Sequence, residues 1–194
     1  MGKMVFVVGA AGAGKTTVAE ALAKRSRSAF LDMDTLLRPA AEALMKASGF
    51  DPDDRDSPEY KRLCRDLGYR ITMNAALENV RLGTDVYIIG PFTKETADPL
   101  WLERELAAAG LSLRDVDVKV LYVYLGEESL YRERIEGRHL RTDDWKLLHW
   151  DEFSRSLARR QIAWPLPDSS VLYWDNSEPL TEAGLTRLEA FING

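Results

Sequence analysis

The segment Gly9-Ala10-Ala11-Gly12-Ala13-Gly14-Lys15-Thr16 constrains the fold more than any other stretch of the chain. It satisfies G-x-x-x-x-G-K-[ST], a loop that needs a buried strand before it and a helix after it. Both neighbours are there. Met4-Val5-Phe6-Val7-Val8 is a short apolar run, and Val18, Ala21 and Leu22 recur at helical spacing behind the motif. Glycines let the backbone curl until successive N–H groups point at phosphate oxygens, so Gly9, Ala10, Ala11, Gly12, Ala13, Gly14, Lys15, Thr16 and Thr17 form the expected cradle. Lys15 adds a point charge near a terminal phosphate, and Thr16 offers a hydroxyl to Mg²⁺. A glycine turn that binds nothing would have to match the spacing, the lysine, the hydroxyl and both flanking elements by chance.

The rest of the chain alternates short apolar runs, at 4–8, 29–33, 85–89, 118–125 and 171–174, with amphipathic stretches. That alternation predicts a parallel sheet wrapped by helices, a three-layer α/β/α fold. Leu63, Leu67, Ile71 and Ala75 predict a helix over 60–82 with one buried face, and Trp150, Phe153 and Leu157 predict another. Residues 51–58, with two prolines and four aspartates, read as a loop, and Pro165 with Pro167 end the last helix before the final strand. With 194 residues, 45% of them hydrophobic, the chain fits one domain, 1–194, with inserted parts at 35–82 and 127–163.

Charge and cysteine content narrow the partners. Against 26 basic residues stand 31 acidic ones, net −5, which disfavours a protein that works by coating a nucleic-acid backbone. The single cysteine, Cys64, has no partner for an internal disulfide, and no run approaches the roughly 20 apolar residues of a membrane span. The run at 4–8 is too short for a signal-peptide core, and Phe6 stands where a myristoylation motif wants Ser or Thr. The expectation is a cytoplasmic protein, not held at a membrane.

At the end of the second run stand Asp32 and Asp34, in Phe30-Leu31-Asp32-Met33-Asp34. Strand alternation puts both carboxylates on one side, near the phosphate loop if the two strands are close. The third run, Val86-Tyr87-Ile88-Ile89-Gly90, has no acid at its exit, and Asp85 lies at its wrong end. A carboxylate that accepts the proton of an attacking hydroxyl is what phosphoryl transfer requires. Asp34 could instead cap a helix beginning at Thr35.

With these motifs the chain resembles the small P-loop phosphotransferases, a grouping that includes shikimate kinase, gluconate kinase, chloramphenicol phosphotransferase and the kinase domain of polynucleotide kinases. The resemblance spans most of the chain and implies a P-loop NTPase fold with strand order 2-3-1-4-5 and a helical lid. It makes Asp32 a water-mediated Mg²⁺ contact and Asp34 the base. Arg134, Arg138 and Arg141 are spaced i, i+4, i+7, which predicts one helix face, with Glu133 and Glu136 off it. This is similar to the kinase lid, here 127–163, whose arginines cross over the triphosphate; a solvated basic helix face is the alternative. Arg155 and Arg159 are four apart on the returning helix. His139 and His149 lack partners at metal spacing, and Trp145, Trp150 and Trp164 are expected to pack beneath the lid. Trp174-Asp175-Asn176-Ser177 matches the turn beside adenine in similar kinases, which makes Asn176 a nucleotide contact.

The acceptor is expected between the 35–82 insert, which supplies Arg38, Arg65 and Tyr69, and the third-strand exit Pro91-Phe92-Thr93-Lys94. Phe92 and Tyr69 suit a ring or an apolar wall, and Thr93 and Lys94 suit oxygens. Arg38 is one residue out of register with the acceptor-phosphate arginine of polynucleotide kinases, and the glycine run of shikimate kinase is missing. These features together imply an ATP- and Mg²⁺-dependent kinase acting on a hydroxyl of a small molecule: a nucleoside, sugar, aminocyclitol or antibiotic. It would work as a monomer or homodimer. A 5′-hydroxyl polynucleotide kinase is one rival. Another is a non-kinase P-loop ATPase or nucleotide-gated binding protein, which would need no acceptor.

Overall fold

The computed structural model describes all residues, Met1–Gly194. Five parallel strands, β1 (Met4–Val8), β2 (Ala29–Asp32), β3 (Val86–Ile89), β4 (Val118–Tyr124) and β5 (Val171–Asp175), form one sheet in the order β2-β3-β1-β4-β5. The glycine-motif strand β1 is central, with Val5 opposite Tyr87 on one side and Lys119 on the other. Strand order and strand positions agree with the expectation to within a residue or so at each end.

Helices cover both faces: α1 (Lys15–Ser26), α2 (Met33–Ala47), α3 (Pro58–Tyr60), α4 (Asp66–Arg81), α5 (Trp101–Ala108), α6 (Glu128–Glu136), α7 (Asp144–Leu148), α8 (Trp150–Phe153) and α9 (Glu182–Asn193). Strand alternation sorts the core into two layers. Met4, Phe6 and Val8 face the layer completed by Met73 and Val80 of α4 and Leu102 and Leu106 of α5. Val5 and Val7 face Val18 and Leu22 of α1 and Leu188 and Ile192 of α9. Both faces of the sheet are therefore apolar, which is why its strands read as continuous runs.

The 60–82 segment departs from a single helix with a single buried face. After α3 the chain makes a π-helical turn, Lys61–Arg65, before α4 begins. An extra residue in that turn rotates α4 relative to the residues before it. The stripe Leu63, Leu67 and Ile71 is half-buried against Leu37, Ala41 and Met45 of α2, whereas Tyr69, Met73, Ala76 and Val80 turn toward the sheet. The insert thus adds a small core of its own on top of the main one. Two further expectations change. The helical run from α8 ends at Leu157, well ahead of Pro165, and only a 3₁₀ turn at Asp168–Ser170 separates the prolines from β5. The tryptophans do not cluster: Trp164 is buried with its ring 4.9 Å from Phe6, while Trp145 stacks on His149 and Trp150 packs on Phe153.

Candidate functional site

The C-terminal ends of the parallel strands gather the site, as open α/β sheets arrange. Leaving β1, the chain turns through Gly9 and Gly14 with φ +140° and +92°. A Cβ at Gly9 would sit 2.1 Å from the Val123 carbonyl oxygen, and one at Gly14 would sit 2.4 Å from Asn176 Nδ2. Only glycine fits either place. The loop then feeds directly into α1, whose first residues are Lys15 and Thr16, so its free N–H groups and the positive end of the helix dipole face one spot.

Lys15 Nζ donates to the Ala10 carbonyl at 2.9 Å. Burial pushes its pKa down to about 8, against the opposing pull of Asp34, while Arg138 lowers it further. A phosphate would reverse that loss of hydration by supplying negative charge beside the ammonium.

The two carboxylates are placed by different elements. β2 ends at Asp32 and α2 begins at Met33 with no connecting loop. Asp32 is the N-cap: its Oδ1 accepts from the backbone N–H of Asp34 at 2.9 Å and of Thr35 at 3.3 Å. Its other oxygen, Oδ2, accepts from the Thr16 hydroxyl at 3.0 Å. The expectation that alternation along a strand aligns the pair is thus corrected, as is the idea that Asp34 caps the helix. Asp34 is an exposed first-turn helical residue, near enough to Lys15 for their charges to interact. Water reaches it, yet protein displaces most of its hydration shell, and this, with the neighbouring charge of Asp32, holds its carboxyl above the ordinary range. Lys15, Lys146 and Arg38 pull the other way.

The three arginines do not share a helix face. α6 stops at Glu136, so only Arg134 is helical; Arg138 follows the Gly137 turn and Arg141 opens a 3₁₀ turn. The glycine, together with His139 at φ +51°, breaks the expected run. Each arginine has a separate place. Arg134 donates to the carbonyls of Asn176 at 2.7 Å and Ser177 at 3.2 Å and reaches toward that of Ala13. Asn176 Nδ2 donates to the same Ala13 oxygen at 2.9 Å, so the turn after β5 is tied to the phosphate loop. Arg138 lines, with Gly12, Gly14, Thr17, Arg134 and Asn176, a cavity of about 330 Å³ above the loop. Arg141 lies away from it, exposed and paired with Asp53 at 3.1 Å.

The residues expected to line an acceptor site divide. Arg38 stands one turn beyond Asp34 and is exposed; Pro91 is exposed and Thr93 half-buried. Phe92 is not a cleft wall. Its ring is fully buried, packed edge-on against Phe6 at 5.4 Å and Tyr69 at 5.0 Å, with its own backbone at φ +43°. Tyr69 is buried too, and its hydroxyl is pushed up by burial first and by Glu95 second. Arg65 is occupied: it donates to Glu95 at 2.7 Å and Asp66 at 3.0 Å and lies over the Tyr69 ring. Sequence spacing gives no sign of Asp56, Asp143 or Lys146, which join the two inserts: Lys146 Nζ is 2.9 Å from Asp143 and 3.5 Å from Asp56. The buried aspartate at position 143 reveals itself only once the fold is known.

Hard oxygen donors at Thr16 and Asp32 fit a Mg²⁺ site, since Mg²⁺ keeps several waters and takes one or two protein oxygens beside phosphates. No group of three or more His, Cys, Asp or Glu converges as a metal cage, and no helix is long and apolar enough to cross a membrane.

Solved structures with the same fold span nearly the whole chain. A Chloroflexus aurantiacus protein provisionally described as a kinase is 18% identical, with 98% of each chain covered and a TM-score of 0.69. A sugar kinase from Janibacter sp. HTCC2649 is 19% identical over 100% of this chain and 95% of its own, TM-score 0.58. The APS kinase of Mycobacterium tuberculosis, in complex with AMPPNP and APS, is 17% identical over 100% and 98%, TM-score 0.55. No curated protein matches the sequence. The AAA domain family matches residues 4–161, from the first strand through the arginine segment, and the chain, a P-loop protein by motif and by fold, belongs to that family.

Proposed function

We propose that this protein is an ATP- and Mg²⁺-dependent kinase that transfers the γ-phosphoryl group to a hydroxyl of a small molecule. One observation carries the reading: Thr16 and Asp32 meet at 3.0 Å at the mouth of the phosphate loop while Asp34, one helical step on, is free and open to the cleft. A hydrolase needs a positioned water; a kinase needs an open carboxylate beside the phosphates.

In this reading the backbone of 9–17 and Lys15 hold the phosphates, with Arg138 above them. Thr16 and Asp32 hold Mg²⁺, which when bound neutralises charge on the phosphate oxygens. Asp34 accepts the acceptor's hydroxyl proton as the new oxygen–phosphorus bond forms and the bond to the β-phosphate oxygen breaks, releasing ADP. Its raised pKa makes it a stronger base than an ordinary aspartate. The similar structures, among them a sugar kinase and an APS kinase holding AMPPNP, support a nucleotide-dependent transfer to a small acceptor. The residues 127–163 act as lid and 35–82 as the acceptor-binding insert.

The test is a panel of nucleosides, sugars, aminocyclitols and a 5′-hydroxyl oligonucleotide with labelled ATP. Label on a small compound with weak salt dependence supports the reading. Label on the oligonucleotide alone, falling steeply with salt by counterion release, would move the protein to nucleic-acid end repair.

A further inference from the structure

A line of alternating charge runs from the phosphate loop to the acceptor insert. At one end Arg138 lines the cavity above the phosphate loop, beside Gly12, Gly14 and Thr17. Its Nη1 lies 3.8 Å from Asp143 Oδ2; Asp143 Oδ1 accepts from Lys146 Nζ at 2.9 Å; and Lys146 Nζ is 3.5 Å from Asp56 Oδ2, in the loop before α3. The inner members are shielded from water, with side-chain exposures of 6% for Asp143, 13% for Lys146 and 19% for Asp56.

Lys146 is built as a strut. Its ammonium donates to the Thr142 carbonyl and to Asp143 Oδ1, each at 2.9 Å, and its remaining proton lies beside the Asp56 carboxylate, 3.5 Å away. The carboxylates it joins are less well served: Asp56 Oδ2 and Asp143 Oδ2 are buried with no hydrogen bond. Such a junction is favourable only while all its members stay packed together. Its upstream member, Arg138, lies beyond the end of α6 and contacts Asp143 only loosely. A guanidinium has donors enough for both a phosphate and a carboxylate, so a bound polyphosphate would fix Arg138 without taking it from Asp143.

We propose that Lys146 is a positioning residue that carries nucleotide binding to the acceptor loop: phosphates fix Arg138, and Asp143 with Lys146 then dock residues 51–57 over the cleft. This rests on the kinase reading, and it concerns a residue that touches neither substrate. Its consequence is that nucleotide organises the acceptor side before any acceptor arrives. The outer pair Arg141–Asp53 is too exposed to do the same, at 75% and 44% side-chain exposure.

Hydrogen exchange of the 51–57 amides, with and without AMPPNP and Mg²⁺, tests this without an acceptor. In the parent, AMPPNP should slow exchange there by about tenfold or more. Lys146→Met should bind AMPPNP as the parent does by calorimetry but lose the slowing, and Lys146→Arg should restore most of it. Asp56→Asn, which keeps the size of the side chain, should weaken the same effect and decides the matter if Lys146→Met does not fold. Equal slowing in the parent and in these variants, or none in the parent, overturns the proposal. Transfer to the hydroxyl panel is read separately: a parent that shows the coupling yet phosphorylates nothing would sink the kinase reading and not the coupling.

Discussion

Thr16 Oγ1 donates to Asp32 Oδ2 across 3.0 Å, and the same carboxylate caps α2 through its other oxygen. One side chain therefore fixes the helix that carries Asp34 and faces the phosphate loop. The register of the acid pair is a consequence of the cap and not of the strand.

Two substitutions at Asp32 should separate these duties. Asparagine keeps a good cap and removes the charge, so Asp32→Asn should fold like the parent and raise the Mg²⁺ needed for transfer. Asp32→Ala should in addition cost about 0.5–2 kcal/mol of stability, read by urea unfolding. Asp34→Asn should leave stability and ATP affinity alone and lower kcat by about 10²–10⁴-fold. Near-parental transfer by Asp34→Asn would reduce Asp34 to an exposed helical residue.

The arginines, expected to act as a row, should give three different phenotypes. Arg134→Ala frees the turn at Asn176 and Ser177 and should weaken nucleotide binding. Because Asn176 shares the Ala13 carbonyl, Arg134→Ala and Asn176→Ala should be non-additive in a double-mutant cycle. Arg138→Ala should lower kcat more than it changes ATP affinity. Arg141→Ala should leave both near the parent, since an exposed pair contributes about 0.2–1 kcal/mol. A loss of kcat in Arg141→Ala alone would mean that the 127–163 segment carries its working charge on Arg141 and not on Arg138.

Legibility in the sequence tracks the range of the interactions. The phosphate loop and the five strands are readable because glycine geometry and hydrophobic period are local, whereas the order of the strands follows only from the resemblance to the small P-loop phosphotransferases. Asp32 and Asp34 are readable as a pair, but their geometry depends on a strand passing straight into a helix. The arginine row fails because Gly137 ends α6 one turn early. Phe92 reads as a surface ring because it comes just after a strand exit; a left-handed backbone at that residue turns it inward. The junction of Lys146, Asp143 and Asp56 joins residues about ninety positions apart, and no spacing rule reaches that far.

The burial of Phe92 makes a stability forecast that differs from an acceptor-wall role. Removing a fully buried phenyl ring leaves a cavity between Phe6, Tyr69 and Trp101, so Phe92→Ala should cost about 3–5 kcal/mol in urea unfolding. Phe92→Leu should cost less and keep the acceptor KM near the parent value. An unchanged unfolding midpoint with a raised KM would return the ring to the cleft.

The 51–57 loop should lose its order in acid. Asp54 Oδ1 accepts from the backbone N–H of Asp56 at 2.9 Å and of Ser57 at 3.0 Å, and Ser57 in turn caps α3. Partial burial pushes the Asp54 carboxyl up, but the hydroxyl and backbone N–H of Ser57 and the N–H of Asp56 outweigh it and hold it below the ordinary carboxylate range. A carboxyl lowered by folding contributes stability that is complete above its unfolded value, near ~3.9, and is lost as pH falls through the lower folded value. The amide proton shifts of Asp56 and Ser57, tracked by NMR, should therefore hold constant down to about pH 4 and move below it. Asp54→Asn keeps an acceptor oxygen and removes the titration, so its two amides should show no such step. An inflection above the ordinary aspartate value, or the same step in Asp54→Asn, would assign the loop's acid response to another group.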